Sequence, residues 1–244
     1  MAHGSMTESP AQRVLARCDA LADCTIEPGR ITRPFPSPAM SAAQDMIRGW
    51  MEAAGLSVRI DPVGNLIGRL PSRDDSAAGA GVLLLGSHLD SVRDAGRYDV
   101  VLGVLAALAV AEELPAGHLP FHVDVVALCD EEGLRFGSTY FGSLALTGSF
   151  SDELLEVSDR DGITLREALS GAGYAPDRID RAAYDAKRTL GYLELHIEQG
   201  PKLEALGRPL GIATAIAGQT KMTVRFEGRA AHAGTTPMGL RRDA

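Results

Sequence analysis

Apolar residues recur at helical spacing over 11–25 and 39–54, with Pro38 and Ser41 near the second start and Gly55 just past its end. Proline and serine at the beginning and glycine after the last turn are ordinary helix punctuation, so two helices are predicted. Between them Pro28, Gly29, Pro34, Pro36 and Pro38 crowd one short stretch, which reads as a loop. Residues 57–70 alternate apolar and polar around Gly64-Asn65, the pattern of a hairpin. A small, polar loop follows over 71–81. The run Val82-Leu83-Leu84-Leu85, bounded by Gly81 and Gly86, suits a buried, parallel strand. Further on, 103–114 reads as a buried helix, 121–129 as a second strand, 138–147 and 165–169 as helical, and 192–197 as a third strand. Strands alternating with helices imply an α/β fold with a mixed, largely parallel sheet and helices on both faces. After Gly211 the texture shifts: 212–216 and 222–226 look like adjacent strands, and 237–244 like a helix just beginning. That ending reads as a fragment of a longer protein.

Composition narrows the function classes. The 244 residues favour one large domain, or one and part of another, at roughly 150 residues per domain. With 45% hydrophobic residues the chain can bury a core, which excludes disordered and low-complexity classes. Asp and Glu (32) exceed Lys and Arg (24), giving a net charge of −8. An acidic chain without a basic stripe is not expected to bind nucleic acid. The longest apolar stretch, near Val100 to Ala111, is too short to span a bilayer. Cys18, Cys24 and Cys129 show no metal-type pairing and are odd in number, which suits a reducing compartment, so a cytoplasmic location is expected. Met1 to Ser5, including His3, read as a vector-derived leader before a native start at Met6.

Three groups of potential metal ligands close the three predicted strands. Gly86-Ser87-His88-Leu89-Asp90 ends the first, and an aspartate two residues after a histidine can orient the imidazole. Arg97-Tyr98-Asp99 comes shortly after. Asp130-Glu131-Glu132-Gly133 follows the second strand, and His196-Ile197-Glu198-Gln199-Gly200 closes the third. Open α/β sheets bind ligands outside the carboxyl ends of their strands, so these distant segments are expected on one edge. His88 alone also fits a structural histidine, and the acids at 130–132 alone also fit a solvated turn. Their shared placement with His196 is what points to a hydrolytic metal site. Mixed imidazole and carboxylate donors suit Zn or Mn better than Mg. His118 and His122 have no acidic cluster around them and read as structural.

At these residues the sequence resembles the di-metal amidohydrolases related to aminoacylases and carboxypeptidases. The similarity is to the branch acting on N-carbamoyl groups, which includes allantoate amidohydrolases and N-carbamoyl-L-amino-acid hydrolases. It is carried by 86–91, 96–104, 130–137, 195–200 and 231–238, and spans 80–244. The most specific runs are Leu195-His196-Ile197-Glu198-Gln199-Gly200-Pro201 and His232-Ala233-Gly234-Thr235-Thr236-Pro237-Met238. The resemblance implies a metallopeptidase-like catalytic domain over 1–211 and the beginning of an α+β lid and dimerisation domain over 212–244.

It further implies two divalent ions, Zn or Mn. His88 and His196 would hold one, Asp99 would bridge, and Glu132 would hold the second. Glu131 would act as general base, Asp90 would orient His88, and Gln199 and His232 would contact substrate. The expected reaction is hydrolysis of a ureido C–N bond, with allantoate the first candidate substrate and an N-carbamoyl amino acid the alternative, in a homodimer when full-length. The chain departs from the family at Val100, where glycine usually follows the bridging aspartate. The family's remaining histidine ligand and substrate-binding arginine would lie beyond residue 244. Those departures favour the rival from another class, a non-catalytic binding protein or inactive remnant of the fold. A dipeptidase of the wider family is disfavoured by the run at 195–201.

Overall fold

The computed structural model describes residues 8–73, 80–218, 220 and 222–244. Residues 1–5, expected to be a leader, and residues 74–79 of the expected loop lie outside the described residues. Helix α1 (Pro10–Leu21) begins with a reciprocal cap: Ser9 Oγ accepts from the Gln12 N–H, and Gln12 Oε1 accepts from the Ser9 N–H. Pro10 sits at the first helical position, where a missing N–H costs nothing. Helix α2 (Pro38–Ala53) is capped by Ser37 rather than Ser41, and Gly55 leaves it at a φ of 80°.

The hairpin forms as β1 (Ser57–Ile60) and β2 (Leu66–Leu70), paired antiparallel. The chain then alternates through β3 (Val82–His88), α3 (Val101–Glu113), β4 (His122–Leu128), α4 (Phe141–Leu146), α5 (Leu165–Gly171) and β5 (Thr189–Leu193). The sheet order is β1-β2-β4-β3-β5. β3 pairs parallel with both β4 and β5, while β2 pairs antiparallel with β1 and β4. The sheet is therefore mixed, with the parallel half on the side that carries the ligand-rich strand ends.

Strand alternation sends successive side chains to opposite faces. Val125 and Ala127 of β4 enter the larger core with α1, α2 and α3. Val126 and Leu128 enter a smaller cluster with Ile67, Val82, Leu84 and Leu146 of α4, against which Tyr184 packs. All three cysteines are free and buried. Among the described residues, no helix is long and apolar enough to cross a membrane.

Behind the sheet edge, fully buried Asn65 joins three segments. Its Nδ2 donates to Asp61 Oδ2 (2.7 Å) and to the Gly142 carbonyl (3.1 Å), and its Oδ1 accepts from the Cys129 N–H (2.9 Å). Asn65→Ala leaves these buried groups unmatched, so a stability loss of about 2–4 kcal/mol is expected by urea denaturation.

Several sequence expectations shift. The third strand lies at Thr189–Leu193, not 192–197, so His196 follows the strand instead of ending it. Residues 212–216 and 222–226 form no strand. Ile212, Ile216 and Met222 are 93%, 96% and 82% exposed, and neither segment has a ladder partner to hold it extended. At 237–244 only a 3-10 turn forms, Met238–Leu240. The chain divides into two compact units, Met1–Ile197 and Glu198–Ala244. The second unit contains a short helix α6 (Lys202–Ala205) and an isolated antiparallel bridge between Arg229 and Arg242.

Candidate metal centre

Because β3, β4 and β5 are mutually parallel, their carboxyl ends share one edge, and His88 stands opposite Leu128 in the β3–β4 register. The approach to His88 depends on Gly86. A Cβ built there would lie 1.9 Å from the Val126 carbonyl oxygen, so only glycine lets β3 run this close to β4. Past the strand, the Leu89 N–H still donates to Leu128 O (2.9 Å). The buried guanidinium of Arg33 then braces the turn, donating to the carbonyls of Leu89 (2.8 Å), Cys24 (3.0 Å) and Leu21 (2.6 Å).

That bracing sets Asp90, which is 1% exposed, beneath the site. Its two carboxylate oxygens accept from the backbone N–H groups of Glu131 (3.0 Å) and Glu132 (3.1 Å), locking the β4 exit to the β3 exit. His88 Nδ1 faces the Asp90 carbonyl at 3.1 Å and Asp90 Oδ1 at 3.3 Å. Both neighbours are acceptors, so Nδ1 carries the proton and the Nε2 lone pair is left for a ligand. Nε2 points toward Glu131 Oε2, 3.6 Å away.

His88, Glu131 and Glu132 each present a ligand atom within 4.8 Å of the others. Burial raises the pKa of Glu131, and Asp90 and Glu194 add to the rise against His88 and His196. Burial also raises Glu132, helped by the charges of Glu131, Asp90 and Asp99. Burial alone would lower His88, but its hydrogen bond to Asp90 and three nearby carboxylates outweigh that and raise it. Two carboxylates crowded beside one imidazole present the kind of donor atoms that a divalent cation takes.

Asp99 and His196 stand outside this three-atom group, though within electrostatic reach of Glu132 and Glu131 respectively. His196 Nδ1 donates to the Ile197 carbonyl (2.7 Å), which again leaves Nε2 open. Val100, after Asp99, has φ 63° and ψ −42° and is 4% exposed. A β-branched residue resists that conformation, whereas glycine adopts it freely; the valine holds the turn at about 1–3 kcal/mol of strain. Fully buried Asp130 also has positive φ, and neither of its carboxylate oxygens has a hydrogen-bond partner. Burial and the charge of Asp90 push its pKa well up.

In the second unit, Gln199 has a φ of 50°, and His232 Nδ1 accepts from the N–H groups of Gly234 (3.1 Å) and Thr235 (3.2 Å). Sequence reasoning passed over Arg33, Asn65 and the acid Glu194, which accepts from Ser87 Oγ. The alternation Tyr192, Glu194, His196 was the available signal for Glu194. Nothing local in the sequence marks Arg33 as buried.

Residues 65–163 match the model of Peptidase family M28, a stretch that contains His88, Asp90, Asp99, Glu131 and Glu132 and stops short of His196. An allantoate deiminase of Arabidopsis thaliana is 42% identical over 235 residues, covering 94% of this chain and 44% of that protein. An N-carbamoyl-L-amino acid amidohydrolase of Geobacillus stearothermophilus is 44% identical over 217 residues, covering 88% and 52%. The chain is similar to these amidohydrolases over most of its own length. A crystal structure of a hydantoinase/carbamoylase family amidase from Burkholderia ambifaria superposes with a TM-score of 0.73 at 33% identity, covering 96% of this chain and 56% of that one. The chain thus spans about half the length of the relatives it matches.

Proposed function

We propose that the chain carries most of the metal site of a hydrolase that cleaves a ureido C–N bond, with allantoate as the first substrate candidate. The observation that supports this most is the convergence of His88, Glu131 and Glu132 within 4.8 Å, with His88 Nδ1 committed to Asp90. In this reading His88, Asp99 and His196 hold one divalent ion, and Asp99 and Glu132 the second, Zn or Mn in either place. Such ions, when bound, polarise the ureido oxygen and acidify water. Glu131 takes the proton from the attacking water and returns it to the leaving nitrogen. Asp90 keeps His88 in the tautomer that can ligate. Gln199 and His232 contact the substrate, and the complete protein works in the cytoplasm as a homodimer whose lid begins at 212.

The Geobacillus relative supports a second reading, hydrolysis of an N-carbamoyl-L-amino acid. The two substrates differ in what surrounds the ureido group rather than in the bond broken. Metal content and ammonia release separate the possibilities. For the full-length protein, two ions per chain, with ammonia released faster from allantoate than from N-carbamoyl amino acids, is the expected result. Glu131→Gln is expected to keep the metal while lowering turnover by about 10²–10⁴-fold. Fewer than one ion per chain, with no turnover of either substrate, would establish the non-catalytic remnant instead.

A further inference from the structure

The parallel ladder between β3 and β5 ends at Leu85 opposite Leu193, before either histidine is reached. Beyond that point the two segments are joined through one carboxylate. Ser87 Oγ donates to Glu194 Oε1 (2.5 Å), and Tyr192 Oη lies 2.9 Å from Glu194 Oε2 and 3.2 Å from the Gly86 carbonyl. Ser87 precedes His88, and Glu194 lies two residues before His196. The bracket therefore links the residue before His88 to one two residues before His196, at the place where the β3–β5 ladder has stopped.

The surroundings leave this bracket little slack. A Cβ built on Gly103, in the first turn of α3, would lie 2.4 Å from the Leu195 carbonyl oxygen and 2.7 Å from Ser87 Cβ. Helix α3, the end of β3 and the segment after β5 thus meet without room for a methyl group. Packing limits how far the 194–196 segment can approach, and the Glu194 carboxylate limits how far it can withdraw.

We propose that Glu194 is a positioning residue of the cation site: its carboxylate, held by Ser87 and Tyr192, fixes where His196 stands relative to His88. The inference rests on the metal-site reading above and assigns Glu194 no contact with cation or substrate. Ligand sites lose affinity when the groups orienting their ligands are removed, typically by about 10–100-fold.

The test uses Glu194→Ala, Glu194→Gln and Ser87→Ala, with Co²⁺ alone as probe and a second measurement that needs no metal. Hydrogen exchange of the metal-free chain should show the 194–197 amides exchanging at least about tenfold faster in Glu194→Ala, at an unchanged rate in α2. Co²⁺ affinity should fall by about 10–100-fold with an altered visible spectrum, Ser87→Ala should fall less, and Glu194→Gln should recover part of the loss. A folded Glu194→Ala chain that binds Co²⁺ with wild-type affinity and spectrum overturns the positioning role and leaves the metal-site reading standing. A wild-type chain that binds no Co²⁺ overturns that reading, and the positioning role with it, whatever the exchange data show.

Discussion

Gly86→Ala is expected to cost at least about 3 kcal/mol and to leave much of the chain unable to reach its native state. The cause is backbone against backbone. The added methyl would lie 1.9 Å from the Val126 carbonyl oxygen and 2.9 Å from its carbon, and neither atom can rotate away. Relief requires β3 to separate from β4, which breaks the parallel pairing that runs from Val82–His122 to His88–Leu128. Because His88 is the last residue of that pairing, lost stability and a displaced imidazole should come together. Urea denaturation measures the first, and divalent-ion binding by whatever folded fraction remains measures the second. A variant with a wild-type midpoint would mean that β3 and β4 do not approach this closely.

Asp90→Ala is the second large effect, and its consequences divide differently. The substitution strips the acceptors from two backbone N–H groups, Glu131 and Glu132, and removes the carboxylate that faces His88 Nδ1 at 3.3 Å, leaving that nitrogen the backbone carbonyl of position 90. Unmatched buried donors cost about 1–3 kcal/mol each, so a total loss of about 3–5 kcal/mol is expected after partial rehydration. Metal affinity should fall as well, by about 10–100-fold, since the imidazole loses its carboxylate partner and the exits that carry His88 and Glu132 are no longer tied together. Asp90→Asn separates the two roles. Its remaining carbonyl oxygen can serve one of the donors while its amide presents hydrogens to the others, so stability should recover further than affinity does. Calorimetric unfolding and metal titration of both variants check this. Equal losses in stability with no change in affinity would make Asp90 a structural clamp alone.

Glu131 and Glu132 illustrate how a candidate site takes shape from ordinary fold physics. Left-handed Asp130 turns the chain as it leaves β4, and Asp90 then gathers the next two N–H groups, so consecutive acids reach the same small volume as His88. The raised pKa values of both glutamates follow from that crowding in a half-buried place. A divalent ion held by His88 and Glu132 would relieve the repulsion, which favours reading the cluster as a metal site with Glu131 beside it rather than as a solvated turn.

Much of the first unit was readable from local patterns because its elements carry their own signals. Serine, proline and glycine punctuate α1 and α2, alternation and Gly64-Asn65 mark the hairpin, and largely apolar runs mark β3, α3 and β4. The same reasoning failed at 212–216 and 222–226. Alternating apolar residues state only what a segment could bury, and without a neighbouring strand no ladder forms. It also misplaced β5, since the apolar and polar alternation continues through His196 although pairing ends at Leu193.

By itself, then, the sequence determined most of the strands and helices of the α/β unit, and that His88, the acids at 131–132 and His196 lie at or near strand ends, because turn chemistry and side-chain periodicity are local properties. Only the tertiary structure decided which of those residues meet. His88, Glu131 and Glu132 converge because Arg33 and Asp90 tie together exits that are distant along the chain, and Val100 must take a left-handed turn after Asp99. Such ties depend on distances between elements, and no local spacing along a chain encodes them.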